Sequence, residues 1–241
     1  MSVTSRYRQA WEGFWSEAPE EQGAVFWDTE PAATVGVHLA LFEPHLTDPG
    51  LPVVDLGCGN GTQTRFLADR YRRVLGADLS AAALDRARRA DPAGRAAYRL
   101  LDAVEPAQVA ALHTELGDAN VYMRGVLHQC DPGDRQPLAD ALATLVGERG
   151  RAFLVELSQA ARPLLLDLAG GVSGPPAKLA PVLRHGIAPG EVSDDAVPGL
   201  LGAAGLTVLA SGGLALATTE HGPDGARIEL PAKWLVAGRP E

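Results

Sequence analysis

Residues Val53-Val54-Asp55-Leu56-Gly57-Cys58-Gly59-Asn60-Gly61-Thr62-Gln63-Thr64 constrain the fold of this chain more than any other stretch. A β-branched run ends on an acid, and three alternate glycines then lead into Thr62 to Ala68, which can continue as a helix. Strand, glycine turn and helix in that order bring backbone N–H groups and the positive end of a helix beside a ligand. Glycine suits the turn because the backbone must bend tightly and come within contact distance of that ligand.

The same alternation repeats downstream. Strands are expected at 53–56, 73–79, 97–101, 120–126 and 151–157, with helices at 62–71, 80–90, 106–116 and 134–146. Ser80 is a plausible N-cap, Pro106 suits a first helical position, and Asp91-Pro92 is a stop. Such βαβ order implies a parallel, doubly wound sheet with right-handed crossovers, whose ligands bind outside the carboxyl ends of the strands. Residues 158–192 break the pattern, with a Gly/Pro connector at 170–176, and read as a cap over the substrate. A helix at 194–204 and a strand at 206–210 follow, the strand continuing over 214–219 past a kink or bulge. The turn His221-Gly222-Pro223-Asp224-Gly225 then leads to an antiparallel strand at 228–236. The fold class is therefore α/β, a doubly wound, mostly parallel seven-stranded sheet with an antiparallel terminal strand.

At 241 residues the chain suits one α/β domain, here 51–241, preceded by a helical segment at 1–50. In that segment Tyr7, Trp11 and Trp15 fall on one helical face, and Phe26-Trp27-Asp28 follows a polar link. These rings either bury the segment against the domain or form a lid that contacts a substrate or a cation. The two readings are compatible. A net charge of −9 argues against nucleic acid as a partner. Arg70 to Arg73 and Arg86 to Arg89 read as solvated helix faces. The two cysteines, Cys58 and Cys130, do not suggest a structural disulfide, which points to a reducing cytosol. Neither a secretory leader nor an apolar run of about eighteen residues is visible, so no membrane span is expected. No spacing of His, Cys and Asp suggests a metal site.

Which ligand does the glycine turn take? The dinucleotide fingerprint wants Gly or Ala where this chain has Thr62. Asp55 would repel a pyrophosphate but favour a methionyl ammonium. The run Asp55-Leu56-Gly57-Cys58-Gly59-Asn60-Gly61 resembles motif I of the class I S-adenosylmethionine-dependent methyltransferases. Gly76-Ala77-Asp78-Leu79-Ser80 is similar to that family's second motif, and Leu101-Asp102-Ala103 to its third. The resemblance covers about 51–157 well and the ends in outline, and it implies the Rossmann-like methyltransferase fold with S-adenosylmethionine as cofactor.

It also implies site residues. Asp55, Gly57, Cys58, Gly59 and Gly61 would cradle the cofactor. Asp78, seventeen residues past Gly61, can accept both ribose hydroxyls, with Leu79 beside it. Asp102 and Ala103 would meet the adenine, although Asp102 could instead cap the following helix. Arg124 could hold the methionyl carboxylate with its planar guanidinium. The segment Arg124-Gly125-Val126-Leu127-His128-Gln129 resembles family members acting on small molecules, and the Asn/Asp-Pro-Pro-Tyr signature of nucleic-acid methyltransferases is absent.

His128 is the best general base, its ordinary pKa suiting proton removal near neutrality, although it could merely cap a helix. Trp11, Trp15, Phe26, Trp27 and His185, in the lid and cap, are the candidate substrate contacts. The expected function is methyl transfer to a small organic molecule of the kind made in secondary metabolism. Three rivals remain: use of the bound cofactor for cyclisation or rearrangement without methyl transfer, a non-catalytic scaffold, and a nicotinamide oxidoreductase. Acceptor atom and oligomeric state stay open.

Overall fold

The computed structural model describes residues 3–170, 174–188 and 190–240. Helix α1 (Val3–Glu17) and α2 (Val35–Phe42) precede β1 (Val53–Leu56), α3 (Thr62–Ala68), β2 (Val74–Asp78), α4 (Ala81–Ala90), β3 (Ala97–Leu100), α5 (Pro106–Leu116) and β4 (Asn120–Arg124). Then come α6 (Arg135–Val146), β5 (Ala152–Leu157), α7 (Ala161–Gly170), α8 (Ala180–Arg184), α9 (Ala196–Ala203), β6 (Thr207–His221) and β7 (Arg227–Gly238). One sheet in the order β3-β2-β1-β4-β5-β7-β6 carries them, parallel from β3 to β5, with β7 antiparallel to both neighbours. The expected α/β seven-stranded sheet is therefore present. Its order reverses between β1 and β4, and the crevice outside their carboxyl ends is where such sheets bind ligands.

Period-two side chains split the core into two layers. Val121 and Met123 of β4 face α5, α6 and α9, whereas Tyr122 faces α2 beside Phe42 and Phe153. A third cluster joins Phe14, Trp15 and Phe26 of the N-terminal segment to Val182 and Ile187 near α8. Most elements follow the sequence reading within a residue or two, and Ser80 caps α4 by accepting from the Ala83 N–H at 3.1 Å. Helix α2 stops at Phe42, because Pro44 has no N–H to continue it and a 3-10 turn takes over. Strand β6 runs unbroken through Gly212-Gly213 with register shifts on either side. At Gly212 a Cβ would lie 2.7 Å from the Trp234 indole nitrogen, so a bare backbone lets that ring lie across the strand. The cap region holds α7 and α8, while residues 171–173 of the Gly/Pro connector lie outside the described residues. No described helix is long and apolar enough to cross a membrane.

Candidate functional site

The glycine turn is tied to β2, since the N–H groups of Gly57 and Cys58 both donate to the Ala77 carbonyl, at 2.8 and 3.1 Å. Gly57 has φ +76° and a Cβ there would sit 2.4 Å from Val126 Cγ2, while at Gly59 (φ +53°) it would sit 2.8 Å from Trp15. Both line the main cavity with Cys58. Gly61 does not. Its absent Cβ would meet Ala87 and Tyr98, so the third glycine serves the packing of α3 on α4 and β3. Gly57→Ala combines a left-handed backbone with that clash and is expected to cost roughly 1–3 kcal/mol. A thermal melt should show a drop of several degrees, and an unchanged midpoint would refute the tight approach.

Two acids bracket the turn. Asp55 at the end of β1 is buried and accepts from Thr64 Oγ1 at 2.6 Å. Burial pushes its pKa up to about 6, against the opposing pull of that bond and of Arg124. Asp78 accepts from the Gly59 N–H at 2.8 Å and the Ser80 N–H at 2.9 Å, and burial raises its pKa too. Each carboxylate oxygen keeps a further lone pair, so Asp78 can hold the turn and still accept from a ligand hydroxyl. Leu79 and Arg124 also line the cavity, and Arg124 donates to the Trp27 carbonyl at 3.2 Å.

Three expected contacts lie elsewhere. Asp102 and Ala103 are not in the cavity wall; Asp102 receives the Arg8 guanidinium from α1 and the Val104 N–H at 3.2 Å. An intramolecular cation thus occupies the carboxylate expected to face adenine. His185 is likewise outside the cavity. Its Nε2 pairs with Glu17 at 3.1 Å and its ring meets Phe14 edge-on, because α1 ends on Glu17 directly opposite. Trp11, Trp15, Phe26 and Trp27 line the cavity, with the Trp11 and Trp27 rings 5.6 Å apart edge to face. Glu12 anchors this aromatic helix, accepting from Ser80 Oγ at 2.7 Å and from the Ala82 N–H at 3.2 Å.

At the end of β4, His128 is buried and its Nδ1 lies 2.6 Å from Glu156 Oε2. Glu156, on β5, also accepts from the backbone N–H groups of Val126, Leu127 and His128, at 3.1, 2.9 and 3.1 Å. A carboxylate there sets the imidazole tautomer with hydrogen on Nδ1 and the lone pair on Nε2. The Gln129 amide reaches that Nε2 at 3.0 Å and accepts from the Tyr7 phenol, whose pKa burial raises, so Tyr7 stays a donor. His128, Gln129 and Tyr7 all line the cavity. Glu156 was visible in sequence only as an acid inside the apolar run Phe153 to Leu157 at a strand's carboxyl end.

Gln63 had no signal in sequence. It lines the cavity from the first turn of α3, is 5% exposed, and neither its amide nitrogen nor its amide oxygen has a protein partner. Buried polar atoms are nearly always paired, so an orphaned amide in a cavity wall marks a place for a ligand's polar group. Beside the same cavity, buried Asp28 accepts from Asn60 Nδ2 at 2.9 Å. The cavity is about 470 Å³, the size of a site for a small molecule. Among the described residues, no group of three or more His, Cys, Asp or Glu side chains is placed to hold a metal ion.

Residues 53–150 match a family model described as a methyltransferase domain. A SAM-dependent methyltransferase from Anabaena variabilis ATCC 29413 superposes over 100% of this chain and 96% of its own, with 32% identity and a TM-score of 0.89. Magnesium protoporphyrin IX methyltransferase from Synechocystis PCC 6803, solved with bound SAH, shares the fold at 18% identity and TM-score 0.60, covering 96% of this chain and 94% of that one. A curated protein, the sn-glycerol-3-phosphate import ATP-binding protein UgpC of Cupriavidus pinatubonensis, is 34% identical over 131 residues, which are 54% of this chain. The chain spans only 31% of the length of that curated relative.

Proposed function

The chain belongs to the S-adenosylmethionine-dependent methyltransferases, and from that premise we propose that it methylates a small organic molecule using His128 as general base. Gly57, Cys58 and Gly59 hold the cofactor's backbone side, Asp78 and Leu79 the ribose end, and Asp55, Arg124 and Gln63 the aminoacyl end. Fit is supported by the chemistry of that donor set. Buried acids suit an ammonium and a sugar, a guanidinium suits a carboxylate, and the orphaned Gln63 amide offers both a donor group and an acceptor oxygen. When bound, S-adenosylmethionine supplies an electrophilic methyl group already activated on sulfur. The protein's part is then placement, exclusion of water and proton removal.

Glu156 keeps the Nε2 lone pair of His128 toward the cavity, and an acceptor hydroxyl must compete with the Gln129 amide for it. The aromatic segment within 1–50 acts as a lid on the domain at 51–241, and α7 with α8 as the cap within 158–192. The observation that carries this reading is that His128, held from behind by Glu156, lines the same cavity as the glycine turn. Incubation with S-adenosylmethionine labelled in its methyl group should move label into a low-mass organic product while S-adenosylhomocysteine accumulates. Label that stays on the cofactor in the presence of a bound acceptor overturns methyl transfer.

One variant tests the aminoacyl end alone. Gln63→Leu should weaken S-adenosylhomocysteine about tenfold in calorimetry, the scale of one lost buried hydrogen bond. It should leave 5′-methylthioadenosine, which lacks the aminoacyl end, unchanged. Equal losses for both compounds would show a general distortion of α3 instead.

A further inference from the structure

We infer that the acceptor is an uncharged, predominantly apolar ring compound carrying a hydroxyl, bound between the lid and the cap. This rests on the methyl-transfer reading above. Beyond the glycine turn the cavity is lined by Trp11, Phe26 and Trp27 together with Leu165, Val182 and Ile187, side chains that belong to one hydrophobic cluster. A lining of aromatic rings and branched aliphatic chains suits a predominantly apolar ring.

The charges exclude both ions. The charged residues in the wall are Asp28, Asp55, Asp78 and Glu191 against Arg124 and Arg162, with His128 as the titratable neighbour. Arg162 is already paired with Glu191 at 2.5 Å. Arg124 sits beside Asp55, donates to the Trp27 carbonyl and is assigned to the cofactor's carboxylate. Among the described lining residues no other arginine or lysine is left for a phosphate, sulfate or carboxylate, and the acids repel such groups. A cationic acceptor is disfavoured by the sulfonium charge it must approach. Only a neutral molecule meets neither penalty.

Its one polar end is fixed by position. His128 and Gln129 are a hydrogen-bonded polar pair just past the end of β4 and line the same cavity as those rings, so a hydroxyl belongs there. That hydroxyl yields its proton to His128 Nε2 as its oxygen gains the methyl, and the sulfur keeps the electron pair of the bond it loses.

A first titration at pH 7 establishes that S-adenosylhomocysteine binds; calorimetry with saturating sinefungin, whose ammonium stands where the sulfonium would be, then tests this using three probes of similar shape: 2-naphthol, 2-naphthoate and 2-naphthylmethylammonium. The neutral naphthol should bind at least tenfold more tightly than either ion. Leu165→Glu and Leu183→Glu, both at partly exposed cap positions, should each weaken naphthol about tenfold and leave the affinity for S-adenosylhomocysteine unchanged. A naphthoate or ammonium probe that binds as tightly as naphthol overturns the assignment, as does undetectable naphthol binding or two cap variants that bind it normally. Failure of S-adenosylhomocysteine to bind in the first titration is a separate result and sinks the methyltransferase reading itself.

Discussion

Glu156→Gln lowers turnover by roughly 10² to 10⁴, the range that general-base catalysis contributes, while the fold survives. The reason is donor counting. In the native site one carboxylate oxygen accepts from Val126 and Leu127, and the other from the His128 N–H and His128 Nδ1. A carboxamide has one accepting oxygen, so whichever way it turns, its NH₂ meets backbone donors. If the oxygen stays with Val126 and Leu127, the NH₂ faces His128 and Nδ1 must become the acceptor. The ring then carries its hydrogen on Nε2, and the base is lost at the atom where it is needed.

Long-range proton–nitrogen NMR of His128 reads the tautomer directly. The expected result is Nδ1–H in the native protein and Nε2–H in the variant. Glu156→Ala is harsher, since it leaves three buried backbone donors unpaired at about 1–3 kcal/mol each before relaxation. Its melting point should fall by roughly 2–4 °C per kcal/mol. A Glu156→Gln variant with native tautomer and native turnover would remove Glu156 from any positioning role.

How far could this have been read without coordinates? Local chemistry was legible. The glycine turn, the Ser80 cap and the strand ends at Asp55, Asp78, Arg124 and His128 all follow from short-range pattern, and the structure brings those four side chains to one cavity. What local pattern does not carry is long-range. A strand-end acid looks alike whether it faces a crevice or an arginine 94 residues away, and Asp102 proves to face Arg8. His185 is turned aside by Glu17 at a separation of 168 residues. Gly61 belongs to the motif, yet its lack of a side chain matters for Ala87 and Tyr98, contacts that no local spacing announces. Glu156 stood out as an acid at a strand's carboxyl end, but its bonds to the His128 loop span 28 to 30 residues and no local spacing announces them. Gln63 gave no signal at all, its partners being absent from the protein.

The second large effect is a pH slope of stability that the ligand should cancel. Asp55 has its pKa raised to about 6 by burial, against an ordinary 3.8. Below about pH 4 the group is protonated in both folded and unfolded chains and costs nothing. Between about pH 4 and pH 6 the unfolded chain ionises first, so folded stability is lost as pH rises, reaching about 3 kcal/mol above pH 6 at 1.36 kcal/mol per unit. Asp78, also raised by burial, adds in the same direction. Asp91 and Asp118 have lowered values, so their contribution is gained as pH rises, below the ordinary carboxylate range and outside this window.

His38 works against this slope, because burial lowers its pKa to about 3 and the unfolded chain keeps that proton up to about pH 6.5, so its contribution is gained as pH rises over the same window. The Asp55 effect is therefore the difference between two proteins: from pH 4.5 to pH 7 the melting point of ligand-free Asp55→Asn should rise relative to that of the native protein. An ammonium placed against Asp55 restores the ionised form. S-adenosylhomocysteine, which carries the aminoacyl ammonium without the sulfonium, should bind more tightly as pH rises through 6. In Asp55→Asn it should be weaker by up to about a hundredfold, with no pH dependence from this group, since about 3 kcal/mol is two decades in Kd. Melting curves and titrations at pH 5 and pH 7 measure both halves. An affinity that falls with pH, or a variant that keeps the native slope, would place the ammonium away from Asp55.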